Sequence, residues 1–362
     1  MVNIAVRRSP QEIWFDEKAR RGGFASGAAL LSAFDLRRYR LDQIYRAATK
    51  ELAPDLETVT TLPKDLRTRL GQQGFAFDSV TPTVVRRSND EQTTKGLFRL
   101  ADGSEVEAVL MEHYGDRSTV CISSQAGCAY ACQFCATGQG GFTRNLEPTE
   151  IFDQARYFAR ELAQRDKKVT NIVFMGMGEP FANYEAVMDA VRLLHDPKGF
   201  GLGHRHITIS TVGLVPQIDE FASEGVQVNL AISLHAPNDE LRGRLMPVNR
   251  RYPIADLMAA CERYIKATHR KIFFEYVMLD GVNDGDACAD ELARLMRGPL
   301  YHVNLIPYNA TGAELSGSSD AKVRAFQKRL EERGAVATVR IPMGRDIAAA
   351  CGQLKAETQP KN

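Results

Sequence analysis

Apolar residues change their spacing at about residue 96 of this chain. Beyond that point short β-rich runs, at 119–123, 171–175, 206–210, 226–234, 272–278, 302–307 and 336–341, alternate with helix-length stretches. The first helix is expected near Thr149. Thr149 itself can cap it, Glu150 and Asp153 suit its positive N-terminal end, and Ile151, Ala155, Phe158 and Leu162 form one apolar face. Val187, Ala190, Val191 and Leu194 line up on the next, and further helices are expected over 214–224, 254–267, 285–297 and 320–333. Six or seven β–α units with short connections require parallel strands and right-handed crossovers. Polar and glycine-rich residues sit just after the strands, at Gly176-Met-Gly178-Glu179, Ser210-Thr211, Ser233-Leu234-His235 and Pro307-Tyr-Asn309. That is where a barrel gathers its chemistry. Between a doubly wound sheet and a full or partial barrel, this favours an α/β barrel with one shared mouth, of partial (β/α)6 type.

Residues 1–95 are more polar and lean towards helix. Leu36, Tyr39 and Ile44 sit among arginines, and Leu62-Pro63-Lys64-Asp65 reads as a turn entering a short helix. Residues 84–95 read as a linker or an exposed strand. Residues 96–111 read as two strands around an Asp102-Gly103 turn. The expected division is a small, mainly helical accessory domain over 1–95, a barrel core over 96–345 and a C-terminal segment over 346–362.

Composition narrows the class. The 362 residues are 44% hydrophobic and 25% charged, which is ordinary for a soluble globular protein. No apolar window is long enough for a membrane span, and MVNIAVRRSPQEIW lacks the apolar core of a secretory signal. Net charge is +1, but residues 1–70 hold 13 Lys and Arg against 9 Asp and Glu, a local +4 that hints at a polyanion there. Seven cysteines, three of them clustered, suit metal or redox work in a reducing cytoplasm better than a disulfide framework.

The cluster is Cys128-Ala-Tyr-Ala-Cys132-Gln-Phe-Cys135, three thiols able to converge from one loop. Structural zinc usually shows paired knuckles, and only one half is present. A redox pair would need the C-x-x-C alone. A [4Fe–4S] cluster held by three thiolates leaves its fourth iron open for a substrate or cofactor, which gives the missing ligand a purpose.

C-x-x-x-C-x-x-C after the first barrel strand resembles the radical S-adenosylmethionine (SAM) superfamily. That resemblance implies that Cys128, Cys132 and Cys135 hold the cluster and that SAM chelates the open iron. Gly176-Met-Gly178-Glu179-Pro180 resembles the superfamily's Gly-Gly-Glu-Pro segment, with Glu179 facing the SAM ammonium. Ser210, Ser233, Leu234, His235 and Asn309 are the further candidate SAM contacts.

The resemblance narrows on Cys121-Ile-Ser-Ser-Gln-Ala-Gly-Cys128, Phe134-Cys-Ala-Thr-Gly138, Ile232-Ser-Leu-His-Ala-Pro237, Leu305-Ile-Pro-Tyr-Asn309 and Ala348-Ala-Ala-Cys-Gly-Gln-Leu354. Together they resemble the RlmN/Cfr family of radical SAM RNA methyltransferases, over residues 96–355. The resemblance implies methylation of an adenosine ring carbon in 23S ribosomal RNA, carbon 2 in the housekeeping branch or carbon 8 in the resistance branch, with transfer RNA a further substrate. It implies that Cys351 carries an S-methyl group, passes through a protein–RNA crosslink, and is resolved by Cys121 through a transient disulfide. Glu107 matches the family's general base. Read from residues alone, Glu107 is a solvent-facing carboxylate on a strand, and Cys121 and Cys351 are as readily core residues.

Cys261 and Cys288 share helix faces with leucines and read as core. Arg144, Arg205, Arg242, Arg244, Arg250 and Arg251 are candidate phosphate contacts near strand ends. The implied partners are the RNA and an electron donor such as flavodoxin or ferredoxin, with the chain itself a monomer. Arg340-Ile-Pro-Met-Gly-Arg345 lacks the housekeeping branch's Thr-Arg-Gly, and 39–44 and 300–304 lean towards the resistance branch, which leaves the target atom open. Two rival readings are a radical SAM enzyme acting on a protein or small molecule, and a non-catalytic iron–sulfur RNA-binding protein. The first leaves the arginines and the C-terminal cysteine motif without a role, and the second leaves Cys121 and Cys351 unexplained.

Overall fold

The computed structural model describes residues 8–355. Residues 356–362 of the expected C-terminal segment and 1–7 of the accessory segment lie outside the described residues. Four helices come first: α1 (Pro10–Arg21), α2 (Gly27–Ala33), α3 (Arg38–Thr49) and α4 (Lys64–Gln72). Ser9 and Glu12 close a reciprocal capping box at the start of α1. The fully buried Trp14 packs its ring against Phe15, Tyr45, Phe75 and Phe77, giving this segment its own aromatic core.

Next comes an antiparallel meander of β1 (Thr81–Arg87), β2 (Thr93–Arg99) and β3 (Glu105–Glu112), followed by β4 (Ser118–Cys121) antiparallel to β3. Residues 84–87 end the largely exposed strand β1, as one of the two readings had it, while 93–95 begin the buried β2, and the expected division at 95/96 falls inside β2. Central pairing on both sides explains it, since Thr93 to Phe98 are all buried. The turn at Asp102-Gly103 is present, with Gly103 at φ +86°.

A small hairpin of β5 (Gln125–Gly127) and β6 (Phe142–Asn145) brackets the cysteine loop and the short α5 (Ala136–Gln139). Alternation follows: α6 (Pro148–Ala163), β7 (Asn171–Phe174), α7 (Tyr184–His195), β8 (Ile207–Thr211), α8 (Val215–Ser223), β9 (Asn229–Ser233), α9 (Asp239–Leu245), α10 (Ile254–Thr268), β10 (Ile272–Met278), α11 (Asp286–Leu295), β11 (Tyr301–Pro307), α12 (Asp320–Glu332) and β12 (Ala337–Val339). Strands β4, β7, β8, β9, β10, β11 and β12 pair in parallel, in that order. With β1–β3 they form one ten-stranded sheet of open, linear order, a partial barrel with an antiparallel extension on one edge. No described helix is long and apolar enough to cross a membrane.

The cap of α6 differs from expectation. Glu147 is the N-cap, boxed with Glu150, and Pro148 takes the first helical position. Thr149 lies inside the helix, its hydroxyl accepting from Ser79 at 2.9 Å. Asp153 is buried against Lys18 of α1 at 2.6 Å, and Arg156 donates to the carbonyl of Ala48 at 2.7 Å. These buried contacts dock the helical N-terminal segment on the outside of the barrel.

Candidate active site

Strand register alone assembles the inner wall. Cys121 pairs with Val173 and Val173 with Thr208, two residues before Ser210. Ser210 pairs with Ala231, two residues before Ser233, while Ser233 pairs with Glu275, Glu275 with Asn304 and Asn304 with Thr338. Paired residues, and residues two apart, share a face. Cys121, Ser210, Ser233, Glu275, Asn304 and Arg340 therefore all point inward. The strands' C-terminal ends open into a cavity of about 950 Å³, its mouth included.

Cys128, Cys132 and Cys135 line that cavity as free thiols. Their loop is tight: Ala131 sits in the left-handed region at φ 49°, and a Cβ on Gly138 would lie 2.9 Å from the amide nitrogen of Cys132. Burial pushes the Cys128 thiol up to about 12 and the Cys132 thiol well above its ordinary value. A metal that takes the place of those protons removes the cost. Among the described residues no three His, Cys, Asp or Glu side chains close around a single ion. A cubane takes one thiolate at each of three irons, and three thiols lining one cavity from a single loop fit that donor set.

The SAM candidates divide. Glu179 is buried, accepts from the amides of Phe181 at 2.9 Å and Val212 at 2.8 Å, and is pushed by burial up to about 7. A ligand ammonium beside it would restore its charge. Gly178, at φ +99°, lies where a Cβ would be 2.5 Å from that of Gln125, which is why this segment needs glycine. Ser210, Ser233 and His235 are on the cavity wall. His235 accepts from the amide of Val277 through Nδ1 at 3.0 Å, which leaves the proton on Nε2, and burial holds the ring neutral, its pKa down to about 3. Asn309 is also on the wall, but its amide is engaged, donating to Cys351 O at 3.2 Å and accepting from Arg345 at 2.7 Å. Leu234 is not. Its side chain is fully buried, and its amide donates to Glu275 O at 3.1 Å.

Cys351 lines the cluster cavity and also a smaller adjoining one of about 480 Å³, where it meets Cys121. The Cys121 thiol is buried and pushed up to about 12, by burial first and then by the charge of Cys351. Cys351 is seated by its neighbours: Gly352 O accepts from Ala136 at 2.8 Å, and Leu354 O from Thr137 at 2.5 Å. The C-terminal segment thus crosses the barrel mouth beside the cysteine loop.

Glu107 is not brought into either cavity. It shares the face of Cys121, two residues from Val109, which pairs with Cys121. The C-terminal segment lies between: Lys355 donates its amide to Glu107 Oε2 at 3.0 Å, and Lys95, 3.1 Å from Oε1, also donates to Ala348 O at 3.1 Å. Glu107 is buried and ion-paired, not solvent-facing, because β2 and the C-terminal segment cover it.

Three of the expected phosphate contacts are corrected. Arg242 is fully buried and donates to the carbonyls of Val212, Ser233 and Leu234, clamping the ends of β8 and β9. Arg144 is held by Asp102 at 2.6 Å and Glu150 at 2.7 Å. Arg205 precedes β8, at the opposite end of the strands. Arg244, Arg250 and Arg251 are exposed on the connection after β9, on the side of the mouth. Cys261 is fully buried and Cys288 half-buried against the core.

Sequence reasoning passed over Glu275, Arg340 and Lys95. A carboxylate inside the otherwise apolar Ile272-Phe-Phe-Glu-Tyr-Val-Met278 was the available signal, because a buried charge needs a reason.

Residues 122–292 match the radical SAM superfamily. The chain is 51% identical over 337 residues to a Chloroflexus aurantiacus protein named probable dual-specificity RNA methyltransferase RlmN, covering 90% of this chain and 89% of the relative. It is 45% identical over 326 residues to the ribosomal RNA large subunit methyltransferase N of Nitrosopumilus maritimus, covering 88% and 93%. The crystal structure of a radical SAM methyltransferase from Sphaerobacter thermophilus matches with a TM-score of 0.88 and 52% identity, covering 91% of this chain and 97% of that one. Likeness over nearly the whole length, around a cavity built on three loop cysteines, identifies the chain as a member of the RlmN family of radical SAM RNA methyltransferases.

Proposed function

We propose that the chain methylates carbon 2 of an adenosine in large-subunit ribosomal RNA, and of an adenosine in transfer RNA, using Cys351 as the methyl carrier. The observation that carries this is the position of Cys351, which lines the cluster cavity and the cavity of Cys121 together. The ribosomal target is supported by the relatives' names, which specify dual specificity and large-subunit ribosomal RNA; carbon 2, rather than carbon 8, and transfer RNA rest on the resemblance to the family's housekeeping branch.

Cys128, Cys132 and Cys135 would hold a [4Fe–4S] cluster, and Glu179, Ser210, Ser233 and His235 would surround SAM. When bound, these groups would supply one-electron chemistry: a radical source for removing hydrogen from an S-methyl group, and an acceptor for one electron. The chain's own residues do the rest. Cys351, as thiolate, first accepts a methyl group. Its S-methylene radical then adds to the adenine carbon, making a protein–RNA crosslink. Glu107 is the base for the ring proton, and this role requires the C-terminal segment to release its carboxylate. Cys121 finally attacks the sulfur of Cys351, forming a disulfide and freeing the methylated base. Both are free thiols here, as the start of the cycle requires. Arg244, Arg250 and Arg251 at the mouth, with Arg37 and Arg38 exposed at the start of α3, support RNA contact there and on the N-terminal segment.

The test is anaerobic reconstitution with iron, sulfide, SAM, reductant and unmodified ribosomal RNA, then mass spectrometry to locate the new methyl group. Methylation at carbon 2 by wild type and none by Cys351→Ala is expected. Methylation elsewhere, or by both proteins, would sink the reading.

A further inference from the structure

Arg340 follows β12 and lines the same cavity as the two chemically active thiols outside the cysteine loop. It lines the cluster cavity and the smaller cavity, as Cys351 does, and the smaller one also holds Cys121. Its acidic neighbour is Glu275 on β10, whose carboxylate is already held by Asn304 through Oε1 at 2.9 Å. The other oxygen, Oε2, is buried, has no hydrogen-bond partner, and stays 3.9 Å from the guanidinium. The side-chain hydrogen bond recorded for Arg340 goes to the thioether sulfur of Met175 at 3.4 Å, a weak acceptor. A half-buried guanidinium with five donors and no close oxygen partner among the described residues is an unusual arrangement.

We propose that Arg340 serves the two thiols in turn: it stabilises the Cys351 thiolate for methylation, and once that sulfur is neutral it stabilises the Cys121 thiolate that resolves the crosslink. This rests on the functional reading above. The methylation state of Cys351 then sets the order of the two steps. While Cys351 is a thiolate it takes the field of the single cation and repels a second negative charge, so Cys121 stays protonated. S-methylation removes that charge and leaves the guanidinium to Cys121.

Three charged or titratable groups face this pair. Glu275 on β10 lies 3.9 Å from the guanidinium, Arg340 favours the charged form of Cys121, and the pKa of His113, beyond β3, is lowered by burial first and then by Arg117 and Arg340. The resolving step balances as written. The Cys121 thiolate bonds to the sulfur of Cys351, the bond from that sulfur to the methylene carbon breaks, and the carbon keeps the electron pair and takes up one proton to become the methyl group.

The experiment is alkylation of Cys121 by iodoacetamide in the anaerobic, cluster-loaded protein, followed by mass spectrometry across a pH series. Three states of position 351 are compared: the free thiol, the S-methyl form and Cys351→Ala. Cys121 should react about tenfold faster near neutral pH in the last two, the effect of one unit in its pKa. In Arg340→Gln that gain should vanish, and crosslinked RNA should accumulate on denaturing gels; Arg340→Lys, which keeps the charge, should recover most of both. Equal Cys121 profiles in all three states, or Arg340→Gln alkylating and resolving like wild type, overturns the proposal. A wild type that gives the alkylation pattern but leaves RNA unmethylated would count against the functional reading and not against Arg340.

Discussion

The side-chain amide of Asn309 donates to the carbonyl oxygen of Cys351 at 3.2 Å, and its oxygen accepts from the guanidinium of Arg345 at 2.7 Å. One side chain at the end of β11 thus grips the C-terminal segment on both sides of its last turn. A neutral hydrogen bond contributes about 1 kcal/mol and one to a charged group about 1.5–3 kcal/mol. Losing both should let Cys351 wander at the mouth. Asn309→Ala is expected to lower methyl transfer by about tenfold or more, on the scale of misplaced reacting groups. Iron content of the reconstituted protein should be unchanged, which separates this effect from loss of the cluster.

Lys95 and Glu107 form an ion pair of 3.1 Å whose side chains are only 10% and 7% exposed. Removing one member of a buried pair costs about 3–5 kcal/mol, because the other charge is left uncompensated. Lys95→Met should therefore destabilise strongly in denaturant unfolding. The double variant with Glu107→Gln should recover much of that loss. If the two single effects simply add, the pair is not coupled.

Glu179 offers a pH test. Burial raises its carboxyl above the ordinary carboxylate value to about 7, so the folded state holds a proton that the unfolded state has already lost. Stability from this group is complete below the ordinary carboxylate range and is lost as pH rises through about 7, by roughly 3 kcal/mol at most. Protein free of cluster and SAM should unfold more readily at about pH 8.5 than at about pH 5, and Glu179→Gln should remove that part of the difference. A variant as pH-sensitive as wild type would assign the slope to other groups.

Gly178 has φ +99°, and a Cβ there would sit 2.5 Å from that of Gln125. Gly178→Ala combines backbone strain with a clash against a buried residue, so a loss above about 1 kcal/mol is expected, read as a lowered unfolding midpoint. SAM binding, measured by calorimetry on the cluster-loaded protein, should weaken in parallel because Glu179 is the next residue.

Arg242 would not behave as a phosphate contact. Arg242→Ala should unfold the mouth, since its guanidinium bridges the carbonyls of Val212, Ser233 and Leu234. Arg244→Ala and Arg250→Ala, by contrast, should leave stability unchanged and flatten the salt dependence of RNA binding.

Local features were legible before the fold. The alternation of strands and helices from residue 119 onward, the cysteine loop, and the glycines ahead of Glu179 are all written in neighbouring residues, because helix and strand periods and tight turns are short-range properties. Tertiary structure decided what depends on burial and on distant pairing. The same residue type became a clamp at Arg242, an ion-pair hub at Arg144 and a cavity-lining guanidinium at Arg340, since a cation's role is set by which carbonyls, carboxylates and cavities surround it. Pairing of β2 with both neighbours put Lys95, at the end of a stretch read as a linker or exposed strand, into a buried strand beside Glu107.

The cysteine triplet alone determined that three thiols can converge on one place, because all three lie within one loop. Only the fold decided that Cys351 reaches that place and meets Cys121. Their meeting depends on a ten-stranded sheet whose register points Cys121 inward, and on a C-terminal segment that hydrogen bonds draw back across the mouth. No local pattern encodes that convergence, because the free energy that produces it is spread over contacts between residues far apart in the chain.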